Sequence, residues 1–363
     1  MTGAGGAEVL TYTVATPAPE ADGTAEWDAT TVVVVRLSAD GQEGLGWSYT
    51  AAAAANVVTD VLAPLLEGAD LDDIPALRHR MLGRLRNAGA TGIGASALSA
   101  VDVALWDLKA KRLGVPLAAL LGRARDAAPI YGSGGFVSYD DATLAAELEH
   151  WQGLGAQAVK IKIGQAFGGA PDRDLARTAA ARGVVGDSTR LFVDANGGYS
   201  VGQAIRMAAA LEDLDVRWFE EPVSSDFPRR LAEVRRGTRI DVAAGEYVWR
   251  LGDAEALLAA DAVDCLQIDV TRCGGYTGFL EAAAMAHGRG LDVSVHCGPH
   301  IALPVALAAP NLRHVEYFVD HERVDHALFD GLPTVADGAL HPLPDRTGHG
   351  ITVRPDADRF RVA

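Results

Sequence analysis

The sequence has few cysteines, no block of basic residues and no long apolar run, and each absence excludes a class of protein. Its three cysteines, Cys265, Cys273 and Cys297, are odd in number and lack a paired metal-ligand spacing, which predicts reduced thiols. A net charge of −16 without a Lys/Arg block argues against a nucleic-acid partner. The longest Ala-rich runs are broken by polar residues and are too short to span a bilayer, and no signal peptide opens the chain. We therefore expect a soluble, cytoplasmic protein that binds neither nucleic acid nor membranes.

Length and pattern predict two domains. With 363 residues, of which 49% are hydrophobic, the chain exceeds one ordinary core. Predicted strands over residues 8–15 and 31–38 flank a polar loop rich in proline and glycine, Thr16–Ala29. A third strand leads into a second irregular loop, Trp47–Ala55, after which three helical segments follow. Three strands followed by three helices predict an α+β domain over residues 1–126.

From Pro129 onwards the pattern alternates between strand and helix. The predicted strands are residues 130–135, 158–164, 190–195, 216–221, 241–246, 265–270, 291–296 and 313–318. Most of them recur at about 20–30 residues, the length of one strand, one helix and two short loops. Eight such strands predict a TIM-like barrel over residues 127–325. Residues 326–363 contain no further strand–helix unit, and we expect them to fold back over the first domain.

Acidic residues end three consecutive predicted strands. Asp194 closes one strand, and Glu220 and Glu246 follow at intervals of 26 residues. The carboxyl ends of parallel barrel strands meet at one mouth, where three carboxylates repel one another unless a cation lies among them. One acidic strand end is commonly a cap of the next helix, but three in succession predict a Mg²⁺ site. Spacing leaves the choice between Glu220 and Glu221 open, because neighbours on a strand face opposite sides.

Two lysines share one predicted strand. Lys160 and Lys162 lie two residues apart, so their side chains point the same way. Inside a barrel they must meet anions or lose their protons. Each ammonium lowers the pKa of the other, which favours a neutral amine that acts as a base. The alternative is a pair of ordinary lysines at a solvated edge.

A predicted acid/base pair lies on two adjacent strands. Asp269 and His296 are 27 residues apart, and an aspartate bonded to one imidazole nitrogen fixes the tautomer and raises the basicity of the ring. Alone, a strand-end histidine is more often structural. Glu316 ends the last strand, where it either holds a substrate oxygen as a protonated acid or pairs with a nearby cation. The sequence assigns no role to His300.

The ordered motifs KIK, VDAN, FEEP, AAGE, IDV, a strand-end histidine and HVEYF resemble the mandelate racemase group of the enolase superfamily, the mandelate racemase/muconate lactonizing enzyme family. The resemblance covers nearly the whole chain. It implies a TIM-like (β/α)7β barrel with an α+β N-terminal capping domain that the C-terminal segment completes. It implies Mg²⁺ as cofactor, and it selects Glu220 over Glu221. The site residues that it implies are the metal ligands Asp194, Glu220 and Glu246, the base Lys162 with its neighbour Lys160, the acid/base pair Asp269–His296, and Glu316 as hydrogen-bond partner of the intermediate.

The implied reaction is abstraction of the proton α to a carboxylate through an ene-diolate, for which this superfamily, with its Lys or His bases and Mg²⁺, is the standard example. Developing negative charge is stabilised by the cation. Lys162 and His296 would lie on nearly opposite sides of the reacting carbon. If one removes the proton and the other returns it, a 2-hydroxy acid is racemised or epimerised. If His296 instead protonates a β-hydroxyl, a sugar acid is dehydrated to a 2-keto-3-deoxy acid, the outcome that the resemblance favours.

A non-enzymatic alternative is a catalytically silent metal-binding barrel. It predicts the loss of an acid/base group, and none is missing. For an enzyme, we expect a small carboxylate substrate, bound under the two loops of the first domain. The expected substrate contacts are Asn196, Trp27, Trp47 and Tyr49. We also expect a homo-oligomer.

Overall fold

The computed structural model describes residues 6–362, which begin with a three-stranded antiparallel sheet. Its strands are β1 Gly6–Ala21, β2 Glu26–Ala39 and β3 Gln42–Tyr49. The expected loop Thr16–Ala29 is wrong, because β1 and β2 continue as a long hairpin with a break in register between Ala15 and Glu20. This hairpin is held by tertiary contacts, since the Trp27 indole donates to Glu20 and packs edge-on against Phe136 of the barrel domain.

Helices complete the first domain. They are α1 Ala53–Asn56, which continues as a π-helix Val57–Leu62 and a 3-10 turn Ala63–Leu65, then α2 Ile74–Leu85, α3 Ile93–Leu113 and α4 Leu117–Leu120. Helix α3 is buried along most of its length and lies on β3. Gly46 makes this approach possible, because a Cβ there would lie 2.2 Å from the carbonyl oxygen of Ala100. Gly114 ends α3 in the left-handed conformation.

Eight parallel strands form a closed barrel. They are β4 Ala128–Ser133, β5 Ala158–Lys162, β6 Arg190–Asp194, β7 Val216–Glu220, β8 Asp241–Ala244, β9 Cys265–Ile268, β10 Asp292–Val295 and β11 Leu312–Phe318. Each pairs with its neighbour in chain order, and β11 pairs with β4 to close the barrel. The carboxyl ends of all eight strands therefore surround one mouth.

Helices surround this barrel. They are α5 Asp141–Gly153, α6 Gln165–Gly168, α7 Pro171–Val185, α8 Val201–Asp213, α9 Pro228–Arg236, α10 Leu251–Ala259, α11 Gly275–His287, α12 Pro299–Ala308 and, after the last strand, α13 Val319–Leu328. The short α6 is irregular, since Ala166 and Phe167 both have positive φ. Within residues 6–362, none of the helices combines the length and the apolar character needed to cross a membrane.

The C-terminal segment contacts both domains. Its elements are β12 Phe329–Asp330, β13 Thr334–Ala336, β14 Ala339–His341, β15 Thr352–Val353 and a 3-10 turn Ala357–Phe360. Strand β14 pairs with β4 of the barrel, while Phe329 stacks on Trp47 of the cap with ring centroids 4.2 Å apart. The predicted fold class, a capped barrel completed by the C-terminal segment, is confirmed.

Candidate active site

The inward positions of β5, β6 and β7 bring charged residues into register at the barrel mouth. Lys162 pairs with Asp194 on β6, and Asp194 pairs with Glu220 on β7. Alternation places Lys160, two residues before Lys162, on the same interior side. All four side chains are buried. The predicted inward orientation of both lysines is therefore correct, and the solvated edge is excluded.

Both lysines are paired with carboxylates. Lys160 Nζ lies 2.6 Å from Glu220 Oε1, 2.7 Å from Glu316 Oε1 and 3.6 Å from Asp194 Oδ2. Lys162 Nζ lies 2.5 Å from Asp194 Oδ2. Burial lowers the pKa of Lys162, as Lys160 also does, but the negative charges of Asp194, Glu220 and Glu246 together outweigh both and raise the pKa above its ordinary value. The expected lowering by Lys160 is therefore present, but the neighbouring carboxylates raise the pKa by more, so no net lowering results.

The proposed metal ligands differ in the hydrogen bonds that their carboxylate oxygens accept. Asp194 accepts from the Asn196 backbone N–H at 2.9 Å, and Glu220 accepts from the Trp218 indole at 2.9 Å. Glu246 Oε2 is buried and has no hydrogen-bond partner among residues 6–362; His296 Nε2 lies 3.5 Å from it. An orphaned buried carboxylate oxygen is costly, and a hard cation would satisfy it.

Donor atoms of Glu220, Glu246 and His296 lie within 4.8 Å of one another, and Asp194 is joined to Glu220 through Lys160. Glu221 is also buried beside this group, and burial followed by the charge of Glu246 raises its pKa well above the usual range. Glu220 and Glu246 offer oxygen ligands of the kind that Mg²⁺ prefers, with Asp194 beside Glu220. Among residues 6–362, however, the close group of donor atoms contains His296 and does not contain Asp194.

The predicted Asp269–His296 pair is present. His296 Nδ1 donates to Asp269 Oδ2 at 2.8 Å, which turns Nε2 towards the mouth. The backbone N–H and the hydroxyl of Thr271 each donate to Asp269 Oδ1 at 2.7 Å. Burial would raise the pKa of Asp269, but the His296 hydrogen bond and the Arg272 charge lower it to about 2. An ionised Asp269 can only accept, so it fixes the tautomer of His296.

Glu316 is a paired carboxylate. It accepts from Lys160, from the Ser133 hydroxyl at 2.6 Å and from the Cys297 backbone N–H at 2.9 Å. Burial would raise the pKa of Glu316, but the charges of Lys160 and His296 hold it well below the usual range. Of the two sequence-based alternatives, the structure therefore favours the ion pair over the protonated acid.

A cavity of about 390 Å³ opens above these groups, between the barrel mouth and the cap. Of the predicted substrate contacts, Trp27, Tyr49 and Asn196 line it. Trp47 does not, since it lies in β3, is fully buried and stacks on Phe329. The placement of Trp47 in a loop is wrong, because the apolar strand continues to Tyr49.

Several residues that line the cavity were not predicted, and four of them follow strand ends of the barrel. They are Arg272, Cys297, Asp320 and His321, each two to four residues beyond the end of a barrel strand that the sequence did indicate. Arg272 contacts Glu246 Oε1 at 3.2 Å and Asp269 Oδ2 at 3.3 Å, so it joins a proposed metal ligand to the acid/base pair. Polar residues at the ends of the predicted strands were taken as candidates. Extending that search by a few residues past each strand end would have included these four.

His321 is fixed as a neutral hydrogen-bond donor. Burial lowers its pKa to about 3. Its Nδ1 accepts from the Gly298 backbone N–H at 3.0 Å, and its ring stacks on Tyr49 with centroids 3.5 Å apart. The remaining ring proton is therefore on Nε2. His300 does not line the cavity; it bonds Asp325 at 2.7 Å, which also accepts from the Tyr49 hydroxyl.

A capped parallel barrel whose mouth holds buried carboxylates between a lysine and a histidine is the arrangement of the enolase superfamily. The chain belongs to the mandelate racemase/muconate lactonizing enzyme family within it. The family's N-terminal domain profile matches residues 7–122, and the profile described as "Enolase C-terminal domain-like" matches residues 143–357. The predicted family is confirmed.

Relatives of known name cover most of the chain. A 3,6-anhydro-alpha-L-galactonate cycloisomerase of Streptomyces coelicolor is 36% identical over 329 residues, 89% of either protein. An L-talarate/galactarate dehydratase of Salmonella typhimurium is 33% identical over 333 residues, 89% of this chain and 80% of the relative. Together they confirm that this family member is an enzyme of the predicted reaction class.

Solved structures agree in fold. A mandelate racemase/muconate lactonizing enzyme-like protein from Rubrobacter xylanophilus has a TM-score of 0.94 at 42% identity, covering 98% of this chain and 99% of that one. A racemase from Streptomyces coelicolor, crystallised with bound magnesium, has a TM-score of 0.93 at 32% identity and the same coverage. The magnesium in this structural neighbour supports the predicted cofactor.

Proposed function

We propose that the protein removes the proton α to the carboxylate of a sugar acid and then eliminates the β-hydroxyl, which makes it an acid-sugar dehydratase. The observation that carries this proposal is that Lys162 and His296 line one cavity from nearly opposite sides of the barrel. Around the closed barrel, β10 is three strands from β5 in one direction and five in the other, so the two strands lie on nearly opposite sides.

The polarity of the cavity supports a polyhydroxylated ligand. Hydroxyl, carboxylate and imidazole groups line it alongside the aromatic rings; they belong to Thr30, Thr31, Thr50, Asp320 and His321. Such donors and acceptors match a chain of hydroxyl groups, and they are poorly suited to a purely apolar substrate. A volume of about 390 Å³ suits a small acid.

Each site residue has a proposed role. Lys162, once its own proton has passed to solvent, accepts the α-proton on one face. His296, oriented by Asp269, donates a proton from Nε2 to the leaving oxygen on the other face. Asp194, Glu220 and Glu246 would hold Mg²⁺, which supplies positive charge where the substrate carboxylate becomes more negative. Lys160 and Glu316 form the ion pair that keeps the cluster fixed beneath the substrate.

A second candidate is cycloisomerisation, in which the leaving oxygen belongs to a ring of the substrate itself. Two relatives favour it, the cycloisomerase above and a D-galactarolactone cycloisomerase of Agrobacterium fabrum, 32% identical over 342 residues. The same two side chains serve both reactions, because only the origin of the leaving oxygen differs.

A screen of acid sugars and their lactones or anhydro forms in D₂O with Mg²⁺ tests the proposal. Mass spectrometry then distinguishes the outcomes. Loss of water with formation of a 2-keto acid supports the dehydratase, and a 2-keto acid of unchanged composition supports the cycloisomerase. Deuterium at the α-carbon without elimination indicates the racemase or epimerase. Absence of both exchange and product across the library would refute the proposal.

Three further predictions remain proposals. A cytoplasmic location is supported by three free cysteines, as expected in a reducing compartment. A homo-oligomer is expected from the family resemblance, and light scattering in solution would test it. The domain boundaries 1–126, 127–325 and 326–363 would be tested by limited proteolysis.

A further inference from the structure

Three different donor atoms meet beside the proposed magnesium ligands. Cys297 Sγ lies 3.4 Å from His296 Nε2 and 3.6 Å from Glu316 Oε2, and the last two atoms are 3.9 Å apart. All three residues are buried, and both His296 and Cys297 line the cavity. The thiol, the imidazole nitrogen and the carboxylate oxygen therefore form a triangle that is reached from the cavity.

The size of this triangle fits a tetrahedral cation. With Zn–S near 2.3 Å and Zn–N or Zn–O near 2.1 Å, tetrahedral ligands are separated by about 3.4–3.6 Å. The two sulfur separations differ from these by about 0.2 Å or less, and the nitrogen–oxygen separation is longer by about 0.5 Å. Three protein ligands and an open fourth position towards the cavity are the usual composition of an accessible zinc site.

Neighbouring contacts prepare the donors for a metal. His296 Nδ1 donates to Asp269, the carboxylate–histidine arrangement that orients Nε2 towards a cation. Glu316 accepts hydrogen bonds from the Ser133 hydroxyl and from the Cys297 backbone N–H. The second bond holds the Glu316 carboxylate next to the residue that carries the sulfur. Neither Cys265 nor Cys273 belongs to such a cluster among residues 6–362.

We propose that His296, Cys297 and Glu316 form a second cation site, selective for thiophilic divalent ions such as Zn²⁺, and that its occupation inhibits the enzyme. Binding replaces the thiol proton, which passes to solvent, by a zinc–sulfur bond, and no electron is transferred. The thiolate makes the site soft, whereas the three carboxylates are hard ligands suited to Mg²⁺. Inhibition follows because the cation occupies the Nε2 lone pair. That step rests on the proposed role of His296, but the binding itself does not.

Cobalt(II) in place of zinc reports the sulfur ligand directly. We expect addition of Co²⁺ to the magnesium-loaded protein to produce a near-ultraviolet sulfur-to-cobalt charge-transfer absorption that Zn²⁺ abolishes. Cys297→Ala should lose this absorption. Cys265→Ala should retain it, because Cys265 is buried inside the barrel in a cluster with Phe192 and Trp218. Cys297→Ser, which preserves side-chain size, serves if the alanine variant does not fold. An unchanged absorption in the Cys297 variants, or none in the wild type, would overturn the site.

Inhibition by Zn²⁺ is the second measurement, made on each variant relative to its own rate without zinc. Removal of a metal ligand should raise the half-inhibitory concentration by about 100-fold or more, since even outer-shell changes cost about 10–100-fold. Equal sensitivity of Cys297→Ala and Cys265→Ala, relieved by excess Mg²⁺, would assign inhibition to the carboxylates and contradict the proposal. If no substrate is found, the cobalt measurement still decides whether the site exists.

Discussion

The barrel interior contains two layers of opposite character, built by the same strands two residues apart. In the lower layer, the rings of Tyr131, Phe192, Trp218 and His314 lie against one another. One alternation further along, Phe192 gives way to Asp194 and Trp218 to Glu220. The floor is stabilised by packing, whereas the mouth concentrates carboxylates whose repulsion must be compensated. On one strand, a residue that packs in the barrel interior and a residue of the proposed active site are thus only two positions apart.

The two histidines show the same difference. Burial lowers the pKa of His314 to about 3, so in the lower layer this side chain packs as a neutral aromatic ring. At the mouth, His296 is paired with Asp269 and faces the cavity. The residue type is identical, and its surroundings decide the role.

The largest effect is expected when the acid/base groups of the mouth are removed. Lys162→Ala and His296→Asn should each lower kcat by about 100- to 10,000-fold, because a positioned acid or base contributes that much. Circular dichroism should show an intact fold, since the barrel floor is untouched. Wild-type turnover in both variants would remove the opposed pair from the mechanism.

A floor substitution should have the reverse profile. Phe192→Ala removes a buried ring and should lower the free energy of unfolding by about 3–5 kcal/mol, measured by urea denaturation. Turnover per folded molecule should fall far less than in Lys162→Ala. If Phe192→Ala kept wild-type stability and lost turnover, the assignment of the lower layer to packing and of the mouth to chemistry would be contradicted.

The mouth carboxylates should control metal affinity. Glu246→Gln keeps the shape of the side chain and removes its charge, so Mg²⁺ affinity should fall by about 100-fold or more in isothermal titration calorimetry, since even outer-shell changes cost about 10- to 100-fold. Glu255→Gln is the matched control, because Glu255 is partly exposed and pairs with Arg289 on the surface. Equal Mg²⁺ affinity in the two variants would exclude Glu246 as a ligand.

The smallest effect concerns the pH dependence of stability. The pKa of His314 is about 3 in the folded state and about 6.5 when unfolded, so the unfolded chain binds the extra proton between these values. Stability that is present above pH 6.5 is therefore lost as the pH falls, by up to about 1.4 kcal/mol per unit. His314→Gln should flatten this slope between pH 7 and pH 5.5 in denaturant titrations. A slope identical to that of the wild type would show that His314 is not buried as a neutral ring.

Strand periodicity made the barrel and its charged mouth predictable. Inward positions recur every two residues and strand ends every 20–30 residues, so Asp194, Asp269 and His296 could be placed from spacing. The choice of Glu220 over Glu221 came from the family resemblance. Loops carry no such period. The hairpin over Thr16–Ala29 depends on contacts with the barrel, and Arg272 and His321 come close to the site only through the path of the loops that carry them. The raised pKa of Lys162 depends on a 2.5 Å contact, which no spacing rule specifies.

Deuterium exchange at the α-carbon of the best acid sugar, followed by NMR in D₂O with and without Mg²⁺, tests most directly whether the mouth carboxylates hold a cation that labilises a C–H bond. We predict exchange or product formation with Mg²⁺, none after EDTA treatment, and recovery when Mg²⁺ is restored. Exchange that continues at the same rate in EDTA would contradict the proposed role of Asp194, Glu220 and Glu246.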